Sequence, residues 1–263
     1  MNRKDMLSKI TAYVVNMEKD VEKRQAISRQ LERTTKLDWS IVKACEGKKL
    51  SAFELEYYGY KEFQTKYKGL GTLPAFGCSV SHWSIYKKMA ENNVSSAVIL
   101  EDDAWICEDT ENIVESVADF LNETDLPTAV LLTPDFIYYD KSMPILQLYG
   151  DKAQYLLRDI TNGYMTSGYM INLAAAKLLA EKLFPINYIA DCWGDFSKFG
   201  LHLMGIVPHI VSYSGEFGEI GRSQHPENEP IMLKFRHKLG RAKAQINAYL
   251  RYAKGYRRSK KEW

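Results

Sequence analysis

The sequence predicts an α/β domain carried by one mostly parallel, Rossmann-like sheet, with a basic helical extension at its C-terminal end. Three observations lead there. The apolar run Ile10 to Met17 (ITAYVVNM) is followed at once by a charged amphipathic stretch, Val21 to Leu31, which is a strand-then-helix opening. A segment with helical spacing then leads into Ser96 to Leu100 (SAVIL), a short apolar run typical of a strand buried on both faces. The alternation continues as far as Val211, as expected of a parallel sheet with crossover helices.

A second strand is expected over Trp39 to Ala44, and Ser51 is placed to cap a helix through Glu54, Leu55 and Tyr58. Gly69-Leu70-Gly71-Thr72-Leu73-Pro74 reads as a loop from its glycine and proline content. Beyond it, Val80, Trp83, Ile85 and Met89 recur at helical spacing, and the pattern stops at Asn92-Asn93. Ala129 to Leu132 reads as a further strand, Tyr164 to Leu173 as extended chain, Ala174 to Leu183 as a helix and Leu203 to Val211 as the last strand. From Phe235 onward, Phe235, Leu239, Ala242, Ile246, Tyr249, Leu250 and Ala253 mark one face of a helix whose other face is basic. The expected division is a domain over residues 1–230 and a basic amphipathic helical tail over 231–263.

With 263 residues, 46% hydrophobic and 26% charged, the chain is long enough to bury a substantial core. Its formal charge of +2 hides an asymmetry, because 11 Lys/Arg against one acid lie between Met232 and Trp263 and leave the remainder at about −8. This tail is expected to lie on the anionic inner leaflet; packing on the domain or on a second subunit is the other option, so an oligomer stays open. No reading motif accompanies the basic charge, which argues against nucleic acid as a partner. No run approaches the roughly 18 to 20 apolar residues needed to cross a bilayer, and the N-terminus does not build a signal-peptide core, so a cytoplasmic, at most peripheral, location is expected. Cys45, Cys78, Cys107 and Cys192 lie far apart without metal-ligand spacing and read as reduced and mostly buried.

The chemistry concentrates at Glu101, Asp102 and Asp103, which leave the C-terminal end of the SAVIL strand, where open α/β sheets bind ligands. A hard divalent cation, Mn²⁺ or Mg²⁺, takes oxygen ligands and can be shared between a carboxylate and two phosphates. These three residues alone fit a solvated acid cluster or a helix N-cap equally well. Gly77-Cys78-Ser79-Val80-Ser81-His82 reads as the opening of a helix whose free N–H groups would meet a diphosphate or ribose. Nothing pairs His82 with a nucleophile, which excludes a hydrolase triad.

Taken in order, ITAYVVNM with Arg24 after it, GCSVSHWSIYKKM, AVILEDDAW and TSGYMINLAAAKLL resemble glycosyltransferase family 25, the family of bacterial lipooligosaccharide galactosyl- and glucosyltransferases, over residues 10–225. The resemblance implies a GT-A type fold, a UDP-sugar donor, and inverting transfer of galactose or glucose to a lipid-linked lipooligosaccharide or lipopolysaccharide acceptor. Two departures stand out. Pro74-Ala75-Phe76 occupies the place of a glycine-glutamate pair, and Asn187 follows Pro185-Ile186 where an aspartate is usual; Asp191 lies four residues on and shares a face with Asn187 if the segment is helical.

Inversion requires a base for the acceptor hydroxyl and positive charge for the departing diphosphate. Asp191 is the first choice for the base and Asp195 the second, although Asp191 also suits a helix cap. Asp103 is the first choice for metal ligand, joined by Glu101 and by His209 or His225. Glu101 or Asp102 would bond the donor ribose, Arg24 its phosphates, and Ser81 and His82 would stand beside the donor. Thr166, Ser167 and Gly168 would wall the donor sugar, and Trp193 would pack on the acceptor ring. The competing reading is a saccharide-binding scaffold of the same fold, for which Asn187 is the main argument.

Overall fold

The computed structural model describes residues 9–133, 138–140, 144–213 and 256–258. The first half runs β1 (Ile10–Asn16), α1 (Val21–Leu31), β2 (Leu37–Lys43), α2 (Ala52–Tyr58), α3 (Tyr60–Lys66), α4 (Leu73–Glu91) and β3 (Ser96–Glu101). Next come β4 (Ala104–Ile106), α5 (Thr110–Glu123), β5 (Thr128–Leu131), β6 (Tyr138–Asp140), β7 (Leu146–Tyr149) and β8 (Gln154–Asp159). The remainder is β9 (Gly168–Asn172), α6 (Leu173–Lys182), α7 (Trp193–Phe196), β10 (His202–Val207), β11 (Val211–Tyr213) and β12 (Tyr256–Arg258).

Eight strands form one sheet in the order β2-β1-β3-β9-β5-β10-β8-β7. β2, β1, β3, β5, β10 and β7 share one direction, and only β9 and β8 run against it. The α/β class and the mostly parallel sheet expected from the sequence are both present. Alternation along β3 splits the core in two: Ala97 and Ile99 join the cluster under α3, α4, α6 and α7, while Val98 and Leu100 join the cluster under α1 and α5. Covering both faces explains why the strand reads as an unbroken apolar run.

Chain order makes β1 the switch point. The chain leaves β1 through α1 to β2 on one side and returns through the following helices to β3 on the other, so the carboxyl ends of β1 and β3 open onto a common crevice. Val15 pairs in register with Glu101, so the residues after each strand end as neighbours.

Local signals account for several boundaries. Ser51 and Glu54 form a reciprocal capping box on α2. Asn172 caps α6 through a bond from the Ala175 N–H, and its amide also ties down Thr124 and Leu126. Helix α5, buried along Ile113, Val114, Val117 and Leu121, and the antiparallel β7–β8 hairpin are additions to the elements expected above.

Two expectations are corrected. Helix α4 begins at Leu73 with Thr72 as its cap and Pro74 in the first turn, so Gly77-Cys78 sits inside the helix and not at its opening. Residues 187–190 are not helical, so Asn187 and Asp191 do not share a helix face. The helical tail expected from Phe235, and His225, lie outside the described residues, apart from Tyr256–Arg258, which is a strand paired antiparallel with β6. Among the described residues no helix is long and apolar enough to cross a membrane.

Gly77 is where α4 meets the short 3₁₀ turn Gly47–Lys49. A Cβ there would stand 2.5 Å from both the Cys45 carbonyl oxygen and the Gly47 nitrogen, and neither backbone atom can swing aside. Glycine to alanine inside a helix ordinarily gains roughly 0.5–1 kcal/mol. Gly77→Ala is instead expected to destabilise by about 1–3 kcal/mol through overpacking, read as a lower melting temperature. An unchanged or higher melting temperature would show that this contact is not tight.

Candidate active site

The crevice outside β1 and β3 is a cavity of about 920 Å³, a size suited to a nucleotide-sized ligand. Glu101, Asp102, Asp103 and Asp191 line it, with Asp20 and Glu46 from the loops after β1 and β2; Lys19, Lys23, Lys48 and Lys49 line it as well. Met165, Thr166 and Ser167 supply another part of the wall.

Glu101 is the most firmly held of the acids. Its backbone N–H donates to the Ser167 carbonyl at 3.1 Å, and the Thr166 hydroxyl donates to its Oε1 at 2.5 Å. His82 Nε2 lies 3.4 Å from the same oxygen. Burial pushes the Glu101 carboxyl up, but the hydrogen bond and charge of His82, the Thr166 hydroxyl and Lys23 together outweigh it, and the net direction is down. His82 itself is 1% exposed, with Nδ1 2.7 Å from the Tyr169 hydroxyl, which lies 2.9 Å from that of Tyr86. His82 therefore holds Glu101 from behind and does not line the cavity.

Asp102 accepts from Asn16 Nδ2 at 2.7 Å, and Lys23 Nζ stands 3.6 Å from Asp102 and 3.9 Å from Asp103. Burial raises the Asp102 carboxyl against the pull of Asn16 and Lys23. Asp103 is pushed up to about 6, by burial first and then by the charge of Glu101. One of its oxygens, Oδ1, is buried with no hydrogen-bond partner. An oxygen donor left in that condition beside two other carboxylates fits a hard divalent cation, and Asp103 with Asp102 or the free oxygen of Glu101 would hold it.

Asp191 comes from the loop before α7 and faces the same cavity. Burial and the charge of Glu101 raise its carboxyl, partly offset by the backbone N–H groups of Asp191 and Met165. Met165 has φ 78, a left-handed conformation that strains a long side chain. Its carbonyl accepts from Trp193 Nε1 at 2.9 Å, which holds the strained turn in place.

Several expected residues stand elsewhere. Trp193 is fully buried, edge-on to Tyr169 at 4.8 Å, so no sugar ring can reach it and its work is to fix Met165. Asp195 pairs with Lys198 away from the cavity. Arg24 is outside the lining too and bonds Asn16 Oδ1 at 3.4 Å, while its neighbour Lys23 reaches the acids. Gly168 packs its backbone against Val211, which a Cβ would meet at 2.7 Å. His209 is buried outside the cavity lining, so it does not join the acids. Ser81 does line the cavity, with its hydroxyl donating to Gly77 O and accepting from the Cys45 N–H at 2.8 Å. Asn187 is absent from the lining, and Asp191 is present. No local signal marks Lys23 or Asn16 as a site residue; the periodicity of α1 puts Lys23 and Arg24 one residue apart, and only the fold selects between them.

A family model described as glycosyltransferase family 25 (LPS biosynthesis protein) matches residues 9–193, a span that includes every acid of the cavity. The chain belongs to glycosyltransferase family 25. It is similar to procollagen galactosyltransferase 1-A of Xenopus laevis, 24% identical over 248 residues, covering 84% of this chain and 39% of that protein. A glycosyltransferase 25 family member of Aedes aegypti is 26% identical over the same length with the same coverage. The chain thus spans about two-fifths of the length of these curated relatives. Solved structures resemble it more loosely. A197 from STIV has a TM-score of 0.41 at 11% identity over 80% of this chain and 87% of that one. A glycosyltransferase involved in glycosylation of the major capsid of PBCV-1 has a TM-score of 0.37 at 10% identity over 74% and 81%. Likenesses of that order carry no weight for activity.

The raised Asp103 carboxyl has a consequence for stability. A carboxyl higher in the folded than in the unfolded chain holds its proton longer when folded, so its contribution declines as pH rises from about 4 to about 6. Asp103→Asn removes that penalty. In chelator-containing buffer the variant is expected to be more stable than the parent at pH 7, by on the order of 1–3 kcal/mol, with the difference vanishing near pH 4. Denaturant titrations at the two pH values decide it, and a variant less stable at pH 7 would return Asp103 to a structural role.

Proposed function

We propose that the chain transfers a hexose, galactose or glucose, from a UDP-sugar to a saccharide acceptor of lipooligosaccharide or lipopolysaccharide, with inversion at the anomeric carbon. One observation carries the reading: four carboxylates from two separate segments, Glu101, Asp102, Asp103 and Asp191, face a single cavity that lysines also line. Membership of family 25 supports glycosyl transfer.

In an inverting displacement the acceptor hydroxyl oxygen attacks the anomeric carbon from the face opposite the nucleotide. The C–O bond to the diphosphate breaks as the new one forms, UDP keeps the electron pair, and the hydroxyl proton goes to a base. Asp191 suits that role, since burial and the neighbouring negative charge raise its proton affinity while it still faces the cavity. A divalent cation held by Asp103, when bound, would neutralise charge on the leaving diphosphate. Lys23, beside Asp102 and Asp103, adds a fixed positive charge to the same region. Glu101, locked by Thr166 and His82, offers its remaining oxygen to a donor hydroxyl. Against the scaffold alternative, whose main argument is Asn187, that residue is not in the cavity lining and Asp191 is.

UDP release from UDP-galactose or UDP-glucose in Mn²⁺, with and without a truncated lipooligosaccharide, tests the reading. Excess EDTA is expected to abolish release, as is Asp103→Asn. Asp191→Asn is expected to lower kcat by a factor on the order of 10² to 10⁴ with little change in donor binding. Asp195→Asn, whose carboxylate pairs with Lys198 outside the cavity, should stay near wild type. Full activity in EDTA, or damage confined to Asp195→Asn, would overturn the assignment.

The basic tail extends the proposal to a lipid-linked acceptor on an anionic leaflet. Each Lys or Arg near such a surface contributes about 1 kcal/mol, so binding should be salt-sensitive. The full chain is expected to sediment with anionic liposomes at low salt, and a chain ending at Ile231 to stay folded and remain in solution. Equal behaviour of the two removes the membrane role.

A further inference from the structure

We propose that Cys78, His82 and Glu101 form a binding site for a thiophilic divalent cation of the Zn²⁺ class, separate from the oxygen-lined position at Asp103. Cys78 and His82 are four residues apart on α4 and so project from one face of that helix toward the end of β3. Cys78 Sγ lies 4.0 Å from Glu101 Oε1 and His82 Nε2 lies 3.4 Å from the same oxygen, with all three donor atoms within 4.8 Å of one another. Zn²⁺ bonds of roughly 2.0–2.3 Å at a tetrahedral angle put neighbouring ligand atoms about 3.3–3.7 Å apart. The two distances to Glu101 lie within a few tenths of an ångström of these values, and the Cys78–His82 pair, within 4.8 Å, closes by about an ångström at most to reach such a centre.

The surroundings favour this ligand set. His82 Nδ1 sits 2.7 Å from the Tyr169 hydroxyl, which fixes the ring and leaves Nε2 directed at the cluster. In the tautomer protonated at Nδ1, His82 donates a hydrogen bond to Tyr169, whose hydroxyl donates to that of Tyr86, 2.9 Å away; Nε2 then gives up its hydrogen bond to Glu101 and turns its lone pair to a metal. Glu101 is held by Thr166 and needs no rearrangement. Cys78 and Glu101 both line the cavity, so an ion enters from that side and the fourth position stays open to it. One proton is released on binding, from the Cys78 thiol. Sulfur and imidazole nitrogen select Zn²⁺ over Mn²⁺ or Mg²⁺, whereas the carboxylates at Asp102 and Asp103 make the opposite choice. Because the proposed function uses the other oxygen of Glu101 toward the donor, a cation on Oε1 draws negative charge from that oxygen and adds positive charge at the cavity wall, and Zn²⁺ becomes an inhibitor; that last step rests on the donor reading.

Competition of the full chain with a chromophoric chelator measures Zn²⁺ binding without donor or acceptor. One equivalent is expected for the parent, with binding lost in Cys78→Ser and in His82→Gln, and weakened about 10- to 100-fold in Tyr169→Phe. Co²⁺ added to the unaltered protein should give a near-ultraviolet thiolate-to-cobalt band and the visible bands of a four-coordinate ion, which keeps the test sound should a variant fail to fold. No Zn²⁺ uptake, Co²⁺ spectra without a thiolate band, or uptake undiminished in folded Cys78→Ser would overturn the site. Uptake with the expected losses but no inhibition of UDP release upholds the site and removes Glu101 from the donor role instead.

Discussion

The structure depends on the way Glu101 is anchored as β3 leaves the core. A strand buried on both faces ends in three carboxylates, and burying charge is tolerable only where hydrogen bonds and opposite charge receive it. Thr166 and His82 receive Glu101, Asn16 and Lys23 receive Asp102, and Asp103 is left with an oxygen that has no partner. Satisfying the first two while starving the third concentrates proton affinity at one point of the cavity.

The anchoring reaches across the sheet. His82 is carried by α4 on one face, Thr166 by the turn entering β9, and Asn16 by the end of β1, so the acids are positioned by three elements that are far apart in the chain. Behind them, Trp193 pins the strained Met165 turn from α7, and the same turn contributes a backbone N–H to Asp191. Strain of that kind persists only where the surroundings over-determine it, and here a fully buried indole does so. Asp191 and Glu101 are thereby coupled electrostatically through a shared wall.

Small residues decide how closely these elements approach. Gly77 and Gly47 let α4 meet the Gly47–Lys49 turn backbone to backbone, and Gly168 lets β9 accept Val211 at its edge. Reading Gly77-Cys78 as a phosphate-cradling helix opening misses this, because the cap that starts α4 is Thr72, five residues earlier. Inside a helix the backbone N–H groups are already spent on the preceding turn, so the segment acts through its side chains: Ser81 on the Cys45 N–H, and Cys78 and His82 toward Glu101.

What the sequence determined by itself was whatever is written in local periodicity: β1, α1, β2, β3 and α6, the caps at Ser51 and Asn92, the α/β class, and the acids at the end of β3. Those follow from the two periods of backbone geometry and from short-range capping, which need no partner to be legible. The tertiary structure alone decided which polar residues share the cavity. Lys23 rather than Arg24 and Asp191 rather than Asp195 are choices between neighbours one to four residues apart, and a buried rather than sugar-facing Trp193 is a choice of orientation, all settled by loop path and helix rotation. Such choices depend on contacts spanning more than sixty residues of chain, as between Thr166 and Glu101, and no local pattern encodes them.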